Sequence, residues 1–112
     1  MAAGKYNFTL EQGSTFSREI TVQENGSAMN LTGYSSRMQM RSTHDSSTVG
    51  LSFTATVSSA AEGKVQLSAT ATQTAAIEEG IYVYDLEIES GSGTVTRLME
   101  GKVTVTPEVT RT

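Results

Sequence analysis

Apolar and polar residues alternate along much of this chain, and this alternation limits its fold more than any other sequence feature. Successive side chains of a β-strand point to opposite faces, so a period of two predicts a strand with one buried face. The clearest such segment carries Tyr82, Tyr84, Leu86 and Ile88 on one phase. Similar segments occupy residues 6–10, 16–22, 34–40, 51–57, 65–67 and 94–106. The pattern therefore predicts an all-β domain.

Turn signals separate these segments at regular intervals. Gly13 lies between the first two, and the Asn25-Gly26 pair is typical of a tight hairpin because both residues tolerate positive φ. Residues 42–50 have the composition of an exposed loop, whereas residues 68–79 lose the period of two and predict one short helical turn. About seven or eight short strands with such spacing predict an antiparallel β-sandwich.

Two glycines carry more specific predictions. Gly33 precedes the strand that starts near Tyr34, and we expect it to adopt backbone angles closed to branched residues. Asn30 or Thr32 should hydrogen-bond the backbone of that turn. Gly101 interrupts the last strand and is interpreted as the site of a β-bulge.

The apolar phases of the strands define the expected core and the limits of the domain. Residues 1–5 are expected to form a flexible N-terminus, residues 6–106 a single sandwich domain, and residues 107–112 a tail, because Pro107 cannot continue a central strand. The residues predicted to lie inside are Phe8, Phe16, Ile20, Met38, Phe53, Leu67, Tyr84 and Leu86.

Composition argues against several classes of function. The net charge of -4 disfavours nucleic acid as a partner, because binding to phosphates depends on Lys and Arg. Cysteine is absent, so the sequence has neither disulfides nor thiolate metal ligands. No apolar run is long enough for a membrane span, and no apolar N-terminal stretch precedes a cleavage site, so we expect synthesis in the cytoplasm without Sec export.

Residues that could carry chemistry do not form a convincing site. Residues 44–46 read His-Asp-Ser, but adjacent residues cannot adopt the geometry of a hydrolytic triad. Asp85, Glu87 and Glu89 share one strand face, yet same-face neighbours are roughly 7 Å apart, too far to share one ion without loop ligands. We therefore expect a solvated acidic face, and neither enzyme activity, nor a cofactor, nor a metal site.

Two apolar residues are the best candidates for a contact with another molecule. Ile81 and Val83 fall on the phase opposite to Tyr82, so they should face away from the core. Either a second layer formed by residues 69–77 covers them, or they bind a protein partner, as exposed apolar patches often do. Pro107 and Val109, in the C-terminal segment, are the other predicted protein-contact residues.

Several motifs together resemble a known family. They are YNFTLEQGSTF at 6–16, NLTGY at 30–34, RMQMR at 37–41, GIYVYDLE at 80–87 and RLMEGKVTV at 97–105. Their order is similar to that of small tail-associated proteins of bacteriophages and of the immunoglobulin-like N-terminal domain of phage baseplate upper proteins. The family usually has Asp where this chain has Asn30, and either residue can cap a turn. The resemblance implies an immunoglobulin-like β-sandwich and transfers no catalytic residue.

The resemblance also implies a function. The chain is expected to be a phage virion structural protein, an adaptor or accessory subunit of the tail, baseplate or neck that attaches fibres or neighbouring subunits. Its partners would be other virion proteins, with an oligomeric state in the particle and no contact with nucleic acid or membrane. A capsid decoration protein is one alternative. A carbohydrate-binding or adhesin module is another, although the aromatic residues fall on the core phase rather than on an exposed one.

Overall fold

The computed structural model describes residues 4–24, 26–43, 46 and 49–109. Within them, strands dominate, and the helix is a single turn, so no helix of this described part is long and apolar enough to cross a membrane. The elements are β1 (Gly4–Lys5), β2 (Phe8–Glu11), β3 (Phe16–Thr21), β4 (Gln23–Glu24), β5 (Ser27–Ala28), β6 (Ser35–Arg41), β7 (Leu51–Ser59), β8 (Lys64–Ala69), α1 (Ala71–Ala75), β9 (Gly80–Glu89) and β10 (Val95–Thr106).

One sheet forms both layers of the sandwich because its strand β7 belongs to each of them. The strand order is β1-β10-β9-β6-β7-β8-β3, with β2 also paired to β10 and with β4-β5 as a separate hairpin. Residues 51–53 of β7 pair with β6, whereas residues 54–59 pair with β8. The sheet therefore curls through β7, and the core lies between the two layers, as in sandwiches whose strands change sheet.

The sheet is mixed rather than purely antiparallel. Strands β1 and β2 both run parallel to β10, while the remaining pairs are antiparallel. The turn around Gly13, which has φ of +83°, carries the chain from β2 in one layer to β3 in the other. Because of this crossing, β2 does not form a hairpin with β3 and pairs instead with the last strand.

The predicted core is confirmed, with one of its residues less deeply buried than the others. Ile20 is half-buried at the margin of the core, because β3 is the last strand of its layer. The other predicted residues are buried, namely Phe8, Phe16, Met38, Phe53, Leu67, Tyr84 and Leu86. Tyr6, which shares the phase of Phe8, remains 46% exposed because it precedes β2 at the open end of the cluster.

The turn at Gly33 and the helical turn are also confirmed. Gly33 has φ of +84°, and the backbone N–H of Thr32 donates to Asn30 Oδ1 at 2.9 Å. Helix α1 starts after Thr70, whose side chain and that of Gln73 form a reciprocal capping box. Gly26 in the β4-β5 turn has φ of +81°, whereas Asn25 lies outside the described residues.

Gly101 is not at a bulge, and this prediction was wrong. The register between β9 and β10 shifts between Arg97 and Met99, while Gly101 pairs regularly with Tyr84. A Cβ atom at position 101 would overlap the carbonyl oxygen of Tyr6. The glycine is needed because the backbone of Tyr6 lies directly against it, a requirement that a strand pattern does not reveal.

Both ends of the described chain contact the sandwich. Gly4 and Lys5, within the segment expected to be flexible, pair with Met99 and Glu100 of β10. Pro107 follows the end of β10 as expected. After it, the backbone N–H of Glu108 donates to the side-chain oxygen of Gln12 at 3.0 Å.

Candidate functional site

The candidate site is the outer face of the layer that contains β9. Because Tyr84, Leu86 and Ile88 are buried, the alternate side chains of β9 must point away from the core. We call this surface the outer face; it consists of residues 81, 83, 85, 87 and 89 of β9, residues 37, 39 and 41 of β6, and residues 97, 100, 102 and 104 of β10. Strand β9 is hydrogen-bonded to β10 on one side and to β6 on the other, so the backbone that carries the outer face lies inside the sheet and not at its edge.

Ile81 is the most exposed apolar residue of the outer face. Its exposure is 65%, and Val83 beside it is half-buried. The alternative in which residues 69–77 cover these two residues is wrong, because that segment packs on the other side. Ile77 lies within the hydrophobic core, and the hydroxyl of Thr74 donates to the carbonyl of Ser14 at 2.8 Å. The outward phase predicted for Ile81 is thereby confirmed.

The acidic residues of β9 form ion pairs with arginines from both neighbouring strands. Arg37 of β6 contacts Glu87 at 2.9 Å and Glu89 at 2.8 Å. Arg97 of β10 lies 3.5 Å from Asp85. This arrangement matches the predicted solvated face. Within the described ranges, no cluster of three or more His, Cys, Asp or Glu side chains has the geometry to hold a metal ion.

Electrostatic effects on the outer face favour the charged forms of these groups. The hydrogen bond to Glu89, and to a lesser extent the one to Glu87, raises the pKa of Arg37. The pKa of Glu100 is lowered by its hydrogen bonds with Lys5 and Arg97. These groups are solvent-exposed, so their pairing contributes little stability.

A shallow depression of about 240 Å³ adjoins Val83. Gln39, Arg41, Asp85 and Arg97 are among the residues that line it. Its walls therefore offer both hydrogen-bond donors and acceptors beside an apolar side chain. Polar and charged side chains therefore dominate the depression, and Val83 adds an apolar side chain to its lining.

The C-terminal candidates lie at the same end of the sheet as Ile81. Thr104 pairs with Ile81, and Pro107 immediately follows Thr106, the last residue of β10 at this end. Pro107 is exposed, and Val109 is 91% exposed. The four predicted contact residues therefore belong to one end of the molecule. Of the His-Asp-Ser run, His44 and Asp45 lie outside the described residues.

Arg18 is a residue whose role was not predicted from the sequence. It interrupts the apolar phase of β3, yet its guanidinium carbon lies 5.6 Å, 5.7 Å and 5.6 Å from the ring centroids of Tyr6, Phe8 and Phe16. Its Nη1 donates to the hydroxyl of Tyr6 at 2.7 Å. A cation above several rings is favourable. The only signal in the sequence was the polar residue at an inward position.

Tyr84 links the core to the segment before β2. Its hydroxyl donates to the carbonyl oxygen of Tyr6 at 2.6 Å. Burial, with a smaller contribution from Tyr6, raises the pKa of Tyr84 from 10.0 to about 12. The folded state therefore holds this phenol neutral in a range where the unfolded chain would ionise it.

We expect the Tyr84→Phe variant to lose a pH-dependent part of the stability of the wild type. A raised pKa in the folded state gives a contribution that is present below pH 10 and is lost as the pH rises towards 12. Two pKa units set an upper bound of roughly 3 kcal/mol, which solvent screening of the phenol reduces. Urea unfolding at pH 8 to 12 should show a steeper decline for the wild type than for Tyr84→Phe, and parallel declines would contradict the assignment.

Comparisons with solved structures identify the fold. CopC from Methylosinus trichosporium OB3b is similar over 100% of this chain and 91% of its own, with 13% identity and a TM-score of 0.50. A Listeria monocytogenes internalin-like protein (12% identity, 93% of this chain and 28% of that one, TM-score 0.49) and the PKD domain of human KIAA0319 (16% identity, 99% and 83%, TM-score 0.39) are less similar in structure. No family model and no curated protein matches the sequence. The likeness to CopC concerns the fold alone, and the chain is an immunoglobulin-like β-sandwich.

Proposed function

We propose that this chain is an attachment subunit of a bacteriophage particle, positioned in the tail, baseplate or neck, that binds neighbouring virion proteins through its outer face. The observation that carries the proposal is the 65% exposure of Ile81 on a strand that has partners on both sides. Exposed apolar residues on such a face often mark protein contacts. The phage context is supported by the sequence motifs between residues 6 and 105.

The surroundings of Ile81 suit a protein partner. Val83 extends the apolar area, and the paired charges of Arg37 and Arg97 lie beyond it along the same face. Protein interfaces commonly combine an apolar centre with a polar margin in this way. A partner would present an apolar side chain to Ile81 and hydrogen-bonding groups to the ion pairs of Arg37 and Arg97.

Electron microscopy of purified particles tests the location. An antibody against this chain, visualised with gold, is expected to label the tail, baseplate or neck. Labelling distributed over the capsid would contradict this location and favour decoration of the capsid. Particles without label, under conditions in which a known virion protein is labelled, would contradict the virion role itself.

We expect the Ile81→Asp and Val83→Asp variants to be incorporated into particles at least about ten-fold less than the wild type, because a charge would be buried without a partner at the contact. Quantitative mass spectrometry of purified particles provides the measurement. Thr56→Asp is the control, since Thr56 is exposed on β7 in the other layer. Folding of each variant is checked by circular dichroism. Equal incorporation of folded Ile81→Asp and Thr56→Asp would exclude the outer face as the contact.

A further inference from the structure

Strand β3 has an open edge in the layer opposite to the outer face. It pairs with β8, and no other described strand pairs with it. The N–H of Val22, just beyond β3, donates to the carbonyl of Gly63 at 2.7 Å. In an antiparallel pair the residues alternate between bonding the neighbour and pointing away. The backbone groups of Ser17, Glu19 and Thr21 therefore point away from β8, and all three residues are exposed.

A half-buried cation lies beside this edge on the inner side. Arg18 contacts three aromatic rings and hydrogen-bonds the hydroxyl of Tyr6. Within the described ranges, no carboxylate lies within 4.0 Å of Arg18, whereas Arg37 and Arg97 each contact two. The Tyr6 ring, 46% exposed, completes a cationic and aromatic surface at the margin of the sandwich.

We propose that the open edge of β3 binds an extended segment of a partner protein, which adds one strand to this layer and places a carboxylate opposite Arg18. The backbone of Ser17, Glu19 and Thr21 supplies the hydrogen bonds that hold such a strand, as in other proteins that bind peptides at a sheet edge. The acidic side chain of the partner supplies the counter-ion that Arg18 lacks among the described residues.

Charge disfavours the two central registers in which β3 would pair with a second copy of itself. Two copies of β3 pairing antiparallel about Glu19 would place the two Glu19 carboxylates opposite each other, and pairing about Arg18 would oppose the two guanidinium groups. Like charges directly across a strand pair are unfavourable. A segment with an Asp or Glu on its inward phase meets no such repulsion. The aromatic rings below Arg18 also remain in contact with it when the strand is added.

Titration with two synthetic peptides, followed by NMR of the labelled protein, tests the proposal. Both peptides alternate Thr and Val, and they differ in one central inward residue, Asp in one and Lys in the other. The Asp peptide at millimolar concentration is expected to shift the amide signals of Ser17, Glu19 and Thr21. It should bind about ten-fold or more tightly than the Lys peptide, because the ion pair with Arg18 forms only with Asp. Absent shifts at these residues, or equal affinities, would overturn the proposal.

Variants of the protein test the two parts of the site separately. Arg18→Gln should remove the preference for the Asp peptide. Glu19→Pro removes a backbone donor that does not bond β8, so it should weaken both peptides while Glu19→Ala does not. If Glu19→Pro does not fold, the difference in affinity between the Asp and Lys peptides for the wild-type protein still tests the proposal. These results are independent of Ile81, so this site and the proposed attachment function are tested separately.

Discussion

The Phe8→Ala variant is expected to lose about 3–5 kcal/mol of unfolding free energy. The Phe8 ring stacks on Phe16 at 5.3 Å between centroids and meets Tyr84 edge-on at 5.0 Å and Phe53 at 6.3 Å. Since β2 and β3 belong to different layers, this ring joins the two layers at the point where the chain crosses between them. Its removal would leave a cavity that both layers would have to close.

Urea unfolding at neutral pH measures this effect. Phe8→Leu is the matched variant, because it retains most of the apolar volume and should cost less than about half as much. Val95→Ala serves as the surface control, since Val95 is exposed and such a change is expected to alter stability by less than about 0.5 kcal/mol. A loss below about 1 kcal/mol for Phe8→Ala would mean that the ring does not join the layers.

The alternation of apolar and polar residues predicted which side chains are buried, because it depends only on residues that are adjacent in the sequence. In β9, Tyr84, Leu86 and Ile88 are buried in the order that the alternation requires. The short helix was predicted for a related reason, since the loss of the period of two over residues 68–79 is also a local feature of the sequence. Structural features that arise from residues adjacent in the sequence could therefore be predicted from the sequence alone.

Structural features that depend on residues far apart in the sequence could not be predicted from it. The parallel pairing of β2 with β10 joins the two ends of the chain, and alternation gives the face of a strand but not its partner. The division of β7 between two layers likewise leaves its period unchanged. Arg18 looked like an interruption because the three rings that contact it come from two different strands and the segment before them.

In the candidate site, too, features set by adjacent residues were predicted, whereas contacts between distant residues were not. The outward phase of Ile81 followed from the alternation, and its exposure agrees. The ion pairs of Arg37 with Glu87 and Glu89 connect residues about fifty positions apart, so the sequence indicated an acidic face without indicating its counter-ions. The attachment function assigned to this face remains a prediction that the particle experiments above address.

The Gly101→Val variant is expected to lose about 3 kcal/mol or more of unfolding free energy. A Cβ atom at this position would overlap the Tyr6 carbonyl oxygen and lie 2.8 Å from Asn7 Oδ1. The backbone cannot give way without cost, because the Tyr6 carbonyl accepts the Tyr84 hydroxyl and Asn7 Oδ1 accepts the N–H of Lys102. Urea unfolding, together with hydrogen exchange at the amide of Lys102, measures both the total loss and its location.

Gly91→Ala is the matched control for this substitution. A Cβ atom there would lie 3.6 Å from the nearest atom, the carbonyl oxygen of Gly33, which is an ordinary contact. Both glycines lack a positive φ, so the comparison isolates the close approach of the segment before β2 from any backbone strain. If Gly101→Val were as stable as Gly91→Ala and its Lys102 amide equally protected, the segment at residues 6–7 would not be held against β10. Faster exchange at Lys102 with a large loss of stability would show that the glycine is required for this attachment.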